Sequence, residues 1–164
     1  MANFSRIVKE INKSSMFDAA KPYISSAISW NQGDLIYFDT ADQLLKPLTV
    51  EANATGAVGI ADFAIISGRA VSPIQGTAVD AAQAIAEVPG PLFNVVARMK
   101  LTTGDTFTAG CLVYAAGTDP QMISSSGTKA IGIFNGPAVT SVPSGTEGEA
   151  LLGHRYPADT LVIG

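Results

Sequence analysis

The sequence has one cysteine, Cys111, and one histidine, His154. A single thiol excludes an intramolecular disulfide and any zinc site built on several thiolates. A single imidazole removes most histidine-based metal sites and argues against histidine acid–base catalysis. Charge is scarce as well: Asp, Glu, Lys and Arg make up 15% of the chain, against about 25% in an average soluble domain. The net charge of −4 leaves no cluster of Lys and Arg to neutralise phosphates, so direct nucleic-acid binding is not expected. No apolar run reaches the roughly 18 residues of a membrane span, and the opening Met-Ala-Asn-Phe-Ser-Arg-Ile-Val-Lys-Glu has no apolar stretch of the kind a secretory signal needs.

Motifs of group-transfer chemistry are missing too. The sequence contains no Gly-x-Gly, no Gly-Lys-Ser/Thr, no His-Glu-x-x-His and no Cys-x-x-Cys, so nucleotide-binding loops and common zinc sites are not expected. Gly132-Ile-Phe-Asn-Gly136 has the outer glycines of a nucleophile elbow, but Phe134 stands where serine must be. Cys111 opens an apolar stretch and reads as a small buried hydrophobe rather than a nucleophile. These absences predict no catalytic residue, no cofactor and no metal, and hence a protein that is not an enzyme.

The chain does carry apolar residues (47%), 16 glycines and 9 prolines in 164 residues. That composition excludes ordinary disorder and suits one domain burying near 70% of its unfolded surface. A surface so poor in charge suggests cover by neighbouring molecules. Residues 1–22 form an arm distinct from the rest of the chain. Phe4, Ile7, Val8 and Ile11 fall at i, i+3, i+4 and i+7, one face of a short helix. The face either packs on its own domain or docks elsewhere, and Arg6, Lys9, Lys13 and Lys21 make the arm mildly basic.

From Tyr23 to Gly164 the pattern is β. Asp34-Leu-Ile-Tyr-Phe-Asp39 is apolar on both faces, as in a strand buried on both sides. Pro47 confines Leu44–Val50 to an edge or a bulge. Ala78, Ala81, Ala82 and Ile85 keep helical spacing, predicting one short helix within a link, 69–91, between halves at about 23–68 and 92–164. Asp39 with Asp42 reads as a solvated hairpin more readily than as a cation site or acid pair. Glu147 and Glu149 mark an exposed strand face. Trp30, Tyr37, Tyr114 and Phe134 read as core, although Trp30, beside a turn, is also a candidate oligomer-interface residue.

The two halves share a pattern. Gly33-Asp-Leu-Ile-Tyr37 matches Gly110-Cys-Leu-Val-Tyr114, and Ala57-Val-Gly-Ile60 matches Ala130-Ile-Gly-Ile133. Two matched blocks in the same order predict a duplicated hairpin unit, with Gly59 and Gly132 at bulges or close backbone approaches. The expected fold is therefore mainly β, a small β-barrel or sandwich built on that unit, with a short N-terminal helical arm and one short helix between the halves.

These blocks, with Phe107-Thr-Ala-Gly-Cys-Leu-Val-Tyr114 and Gly127-Thr-Lys-Ala-Ile-Gly-Ile-Phe134, give residues 23–155 a pattern that resembles the capsid decoration (cement) proteins of tailed bacteriophages. The resemblance implies a small, commonly trimeric protein that binds the outside of the mature head, bridges capsomers of the major capsid protein and stabilises the shell against packed DNA. It implies a virion protein made in the bacterial host cytoplasm. In that setting Phe4, Ile7, Val8 and Ile11 are the candidate capsid-docking residues. A head-fibre base or another virion appendage is the alternative, followed by a small β-barrel ligand-binding protein.

Overall fold

The computed structural model describes residues 7–15, 24–25, 27–54, 58–61, 64–70 and 92–152. The strands are β1 (Ile7–Ser15), β2 (Leu35–Asp39), β3 (Leu44–Pro47), β4 (Val58–Ile60), β5 (Ile65–Ile66), β6 (Arg69–Ala70), β7 (Leu92–Leu101), β8 (Leu112–Ala115), β9 (Met122–Ser124), β10 (Ala130–Phe134) and β11 (Glu147–Leu152). Among the described residues the sole helical piece is a single 3-10 turn, Glu51–Asn53. The protein is mainly β, as its alternating and doubly apolar segments predict.

One large sheet runs in the order β11-β10-β8-β9-β7-β4-β2-β3, and β5 pairs with β6 in a separate hairpin. β11 also pairs with β7, which closes β7, β11, β10, β8 and β9 into a ring. All these pairings are antiparallel except β7–β9. β7 pairs with four other strands: β1 between Leu92 and Ala97, β4 at Leu92, β11 from Val95 to Lys100, and β9 at Lys100 and Leu101. β3, which ends at Pro47, lies at one end of the sheet path. Proline has no N–H to donate to a further strand.

The helix expected in the N-terminal arm is a strand over 7–15. It is antiparallel to β7, with Ile7 opposite Ala97 and Ser15 opposite Leu92, and its register shifts between Ile7 and Lys9 and again between Glu10 and Ser14. Each shift puts extra residues on β1, so its apolar positions need not alternate strictly to serve a strand. β-branched Ile7, Val8 and Ile11 favour the extended backbone, and pairing with β7 decides the matter. The helix expected between the halves lies outside the described residues.

Two apolar clusters stabilise the body. The larger contains Val95, Ala97, Met99 and Leu101 of β7 with Phe107, Val113, Ile123, Phe134, Ala150 and Leu152. It also takes in Leu35, Tyr37, Leu48, Val58 and Ile60 from the first half. Phe107 and Phe134 stack at a tilt with ring centroids 5.0 Å apart, a geometry that adds to their area burial. The smaller cluster is Trp30, Ile36, Leu45, Ala61 and Ile65, with Ile24, Ile28 and Phe38 packed against it. Leu35 and Ile36 are both fully buried, so both faces of β2 are covered, as its sequence predicts.

The matched blocks adopt matched pairings. Leu35 lies opposite Ile60 and Ile36 opposite Gly59; Leu112 lies opposite Ile133 and Val113 opposite Gly132. The Gly33 N–H donates to the Ala61 carbonyl (2.8 Å) and the Ala61 N–H to the Asp34 carbonyl (2.8 Å). In the second half, the Gly110 N–H donates to Phe134 (2.9 Å) and the Phe134 N–H to Cys111 (2.8 Å). Both glycines sit third in a turn closed by the next residue's N–H, at φ 88 and 83, where a side chain is strained.

The likeness extends beyond the residues that carry it in the sequence. Trp30 and Ile65 exchange two backbone bonds at 2.9 Å, and so do Phe107 and Val139. Gly68 donates to Ile28 as Val142 donates to Asp105, each at 2.8 Å. The Ser67 N–H donates to Ser29 Oγ (2.9 Å) and the Ser141 N–H to Thr106 Oγ1 (3.4 Å). Ser67 and Ser141 share a left-handed φ of 49 and 51.

Candidate functional site

The sequence-predicted site residues fall apart into different environments. Ile7, Val8 and Ile11 lie in β1, hydrogen-bonded into the main sheet through β7. Phe4 and His154 lie outside the described residues. Trp30 is 5% exposed and belongs to the smaller core cluster. Its reading as core holds, and little of its surface is left for contact with another chain. Tyr37 and Phe134 are buried and Tyr114 is half-buried. Cys111 is half-buried and packs against the larger cluster.

Asp39 ends β2 and Asp42 lies in the β2–β3 turn, and one cation serves both. Lys46 Nζ is 2.8 Å from Asp39 Oδ2 and also bridges to Asp42 Oδ2. The Asp39 and Asp42 carboxylates further accept the N–H groups of Ala41 and Leu44. The hydrogen bond from Lys46 holds the Asp39 carboxyl below the usual carboxylate range, and the same contacts raise Lys46. The hairpin thus sets one lysine between two carboxylates. Glu147 is exposed and Glu149 half-buried on β11.

Two polar contacts that sequence reasoning missed join the halves. Asp34 is 2% exposed, the one polar or charged side chain among the buried residues described. Its Oδ2 accepts the Asn31 N–H (2.7 Å) and its Oδ1 the Gln121 amide (2.8 Å). Desolvation by burial raises its pKa against these stabilising bonds. Gln121 in turn donates its backbone N–H to Asp119 Oδ1 (2.9 Å), and Asp119 pairs with Lys100 at 2.8 Å. The second contact is Glu51. Its Oε1 accepts the backbone N–H groups of Thr128 and Lys129 (2.8 Å for the latter), and Lys129 Nζ returns a bond to the Ala52 carbonyl. Gly127 permits this approach, since a Cβ there would lie 2.5 Å from Glu51 Oε1.

Each of these carboxylates is held in place by backbone N–H groups, an amide or a lysine. Among the described residues no group of three or more His, Cys, Asp or Glu side chains could hold a metal ion. Among them, too, no helix is long and apolar enough to cross a membrane. Comparison with protein-family models, with curated proteins and with solved structures found no match to this chain.

Proposed function

We propose that the protein is a structural component of a virion that binds the outer surface of a bacteriophage capsid, bridges neighbouring capsomers and stabilises the head. One observation carries the reading. The blocks that resemble phage cement proteins are the blocks that make the paired frame of each half, from Gly33 to Ile60 and from Gly110 to Ile133. The resemblance therefore falls on residues with a structural task, and not on incidental apolar runs.

In this reading the two halves are copies of one hairpin unit, and the chain works as a homotrimer on the major capsid protein. Burial of apolar surface at about 25 cal/mol per Å² favours each contact before association costs. Linking several contacts in one trimer makes the later ones intramolecular and raises avidity. The arm residues Phe4, Ile7, Val8 and Ile11 are the proposed capsid-docking set. No enzymatic step is involved, and the protein, made in the host cytoplasm, ends on the capsid exterior.

Quantitative mass spectrometry of purified particles tests the proposal. A copy number that is a simple fraction of the shell-protein count is the expected result. A handful of copies per particle favours an appendage instead, and absence from the particle overturns the capsid reading.

A further inference from the structure

β9 is the weakest member of the ring by its own bonds. It spans only Met122–Ser124. Its parallel pairing with β7 covers only Lys100 opposite Met122 and Leu101 opposite Ile123. Backbone bonds from Lys100 N–H to the Gln121 carbonyl (2.9 Å) and from Thr102 N–H to the Ile123 carbonyl (3.0 Å) hold that seam. Short parallel pairings are slightly less stable per residue than antiparallel ones.

Yet the chain on both sides of β9 is gripped by the first half. Gln121, directly before β9, donates to the buried Asp34 carboxylate. Thr128 and Lys129, in the loop after β9, donate to Glu51. The Leu35 N–H adds a bond to the Pro120 carbonyl at 2.7 Å. Within the second half, Asp105 Oδ2 accepts from the Ser124 hydroxyl and the Ser125 N–H, each at 2.8 Å. The grip from the first half has no reciprocal at the matched turn position, because Cys111 stands where the first half has Asp34.

We infer that Asp34 and Glu51 form a two-point clamp that keeps β9 seated against β7, so that the ring opens at the β7–β9 seam when the clamp is released. The device is one-directional: the first half closes the second. Opening would bare Leu101 and Ile123, which are at most 2% exposed in the closed ring. It goes beyond the capsid reading and does not depend on it.

Amide hydrogen exchange on the isolated full chain, followed by NMR, tests the clamp. Glu51→Ala removes one grip at a half-exposed position. The expected result is a roughly tenfold or greater loss of protection at Lys100 and Thr102, since a charged hydrogen-bond acceptor is lost. Phe107 and Phe134, whose N–H groups bond to Val139 and Cys111 elsewhere in the half, keep their protection. Glu51→Gln, which retains an acceptor oxygen, gives a smaller loss at the same two amides and carries the test if the alanine variant does not fold. Unchanged protection at the seam, or an equal loss at all four amides, overturns the inference.

Discussion

A Cβ placed on Gly132 would lie 2.2 Å from the carbonyl oxygen of Leu151. Gly132 pairs with Leu152 on one side and Val113 on the other, beside a register shift between Ala130 and Gly132. The obstacle is backbone, which cannot swing aside as a side-chain tip can. Gly132→Ala is therefore expected to cost about 3 kcal/mol, the upper end of overpacking penalties. Gly132→Val is expected to cost more, as its branched side chain adds bulk at the same point. Urea denaturation of both variants checks this, and a midpoint equal to the parent's would contradict it.

Gly110 offers a contrast. Its φ is 83, but a Cβ there would meet nothing within 4 Å. Gly110→Ala should cost only the left-handed conformation, about 1–2 kcal/mol, and measurably less than Gly132→Ala. Thermal unfolding of the two variants side by side decides the order.

Asp34 gives a pH dependence of definite sign. Burial raises its folded pKa above the ordinary value, so the folded state binds its proton more tightly than the unfolded chain does. Its contribution is fully present below the unfolded pKa, about 3.9, and is lost as pH rises through the folded pKa. Asp34→Asn cannot titrate, and it sacrifices one of the two acceptor bonds. The variant should be less stable than the parent at acid pH, and the gap should narrow as pH rises. Denaturation curves at a series of pH values check the trend; a gap that widens would rule it out.

Asp39 has the opposite sign. Lys46 lowers its pKa, so its favourable contribution is present above the unfolded pKa and is lost as pH falls through the folded one. Lys46→Met should move the Asp39 carboxyl titration upward in NMR, toward the ordinary carboxylate range. Because the pair is solvent-exposed, raising the salt concentration should shrink the difference.

Much of the frame is legible in the sequence. Leu35–Tyr37 announces a buried strand and Leu112–Tyr114 a half-buried one by being apolar at successive positions, and the glycines before them announce the turns. β1 reads as a helix because its i, i+3, i+4, i+7 spacing fits one, while the two register shifts that reconcile it with a strand depend on β7. A local window contains no trace of that partner. The same holds for the clamp: Asp34 reaches Gln121 across 87 positions and Glu51 reaches Lys129 across 78. Composition and periodicity are local signals, and these contacts are made by the folded topology alone. Trp30 shows the reverse case, where a large aromatic beside a turn reads two ways until burial selects one.

The position of β7 also bears on synthesis. β1 leaves the ribosome before the strand it pairs with, which begins only at Leu92. Until then β2, β3 and β4 can pair with one another, while β1 must wait for its partner. When β7 emerges it offers β1 and β4 their pairings before β9 and β11, which follow it in the chain, exist to pair with it. Translation thus hands the chain an order of assembly, first half onto the shared strand and ring afterwards. Refolding from denaturant has no such order and must close the long loop between β1 and β7 with every competing strand already present.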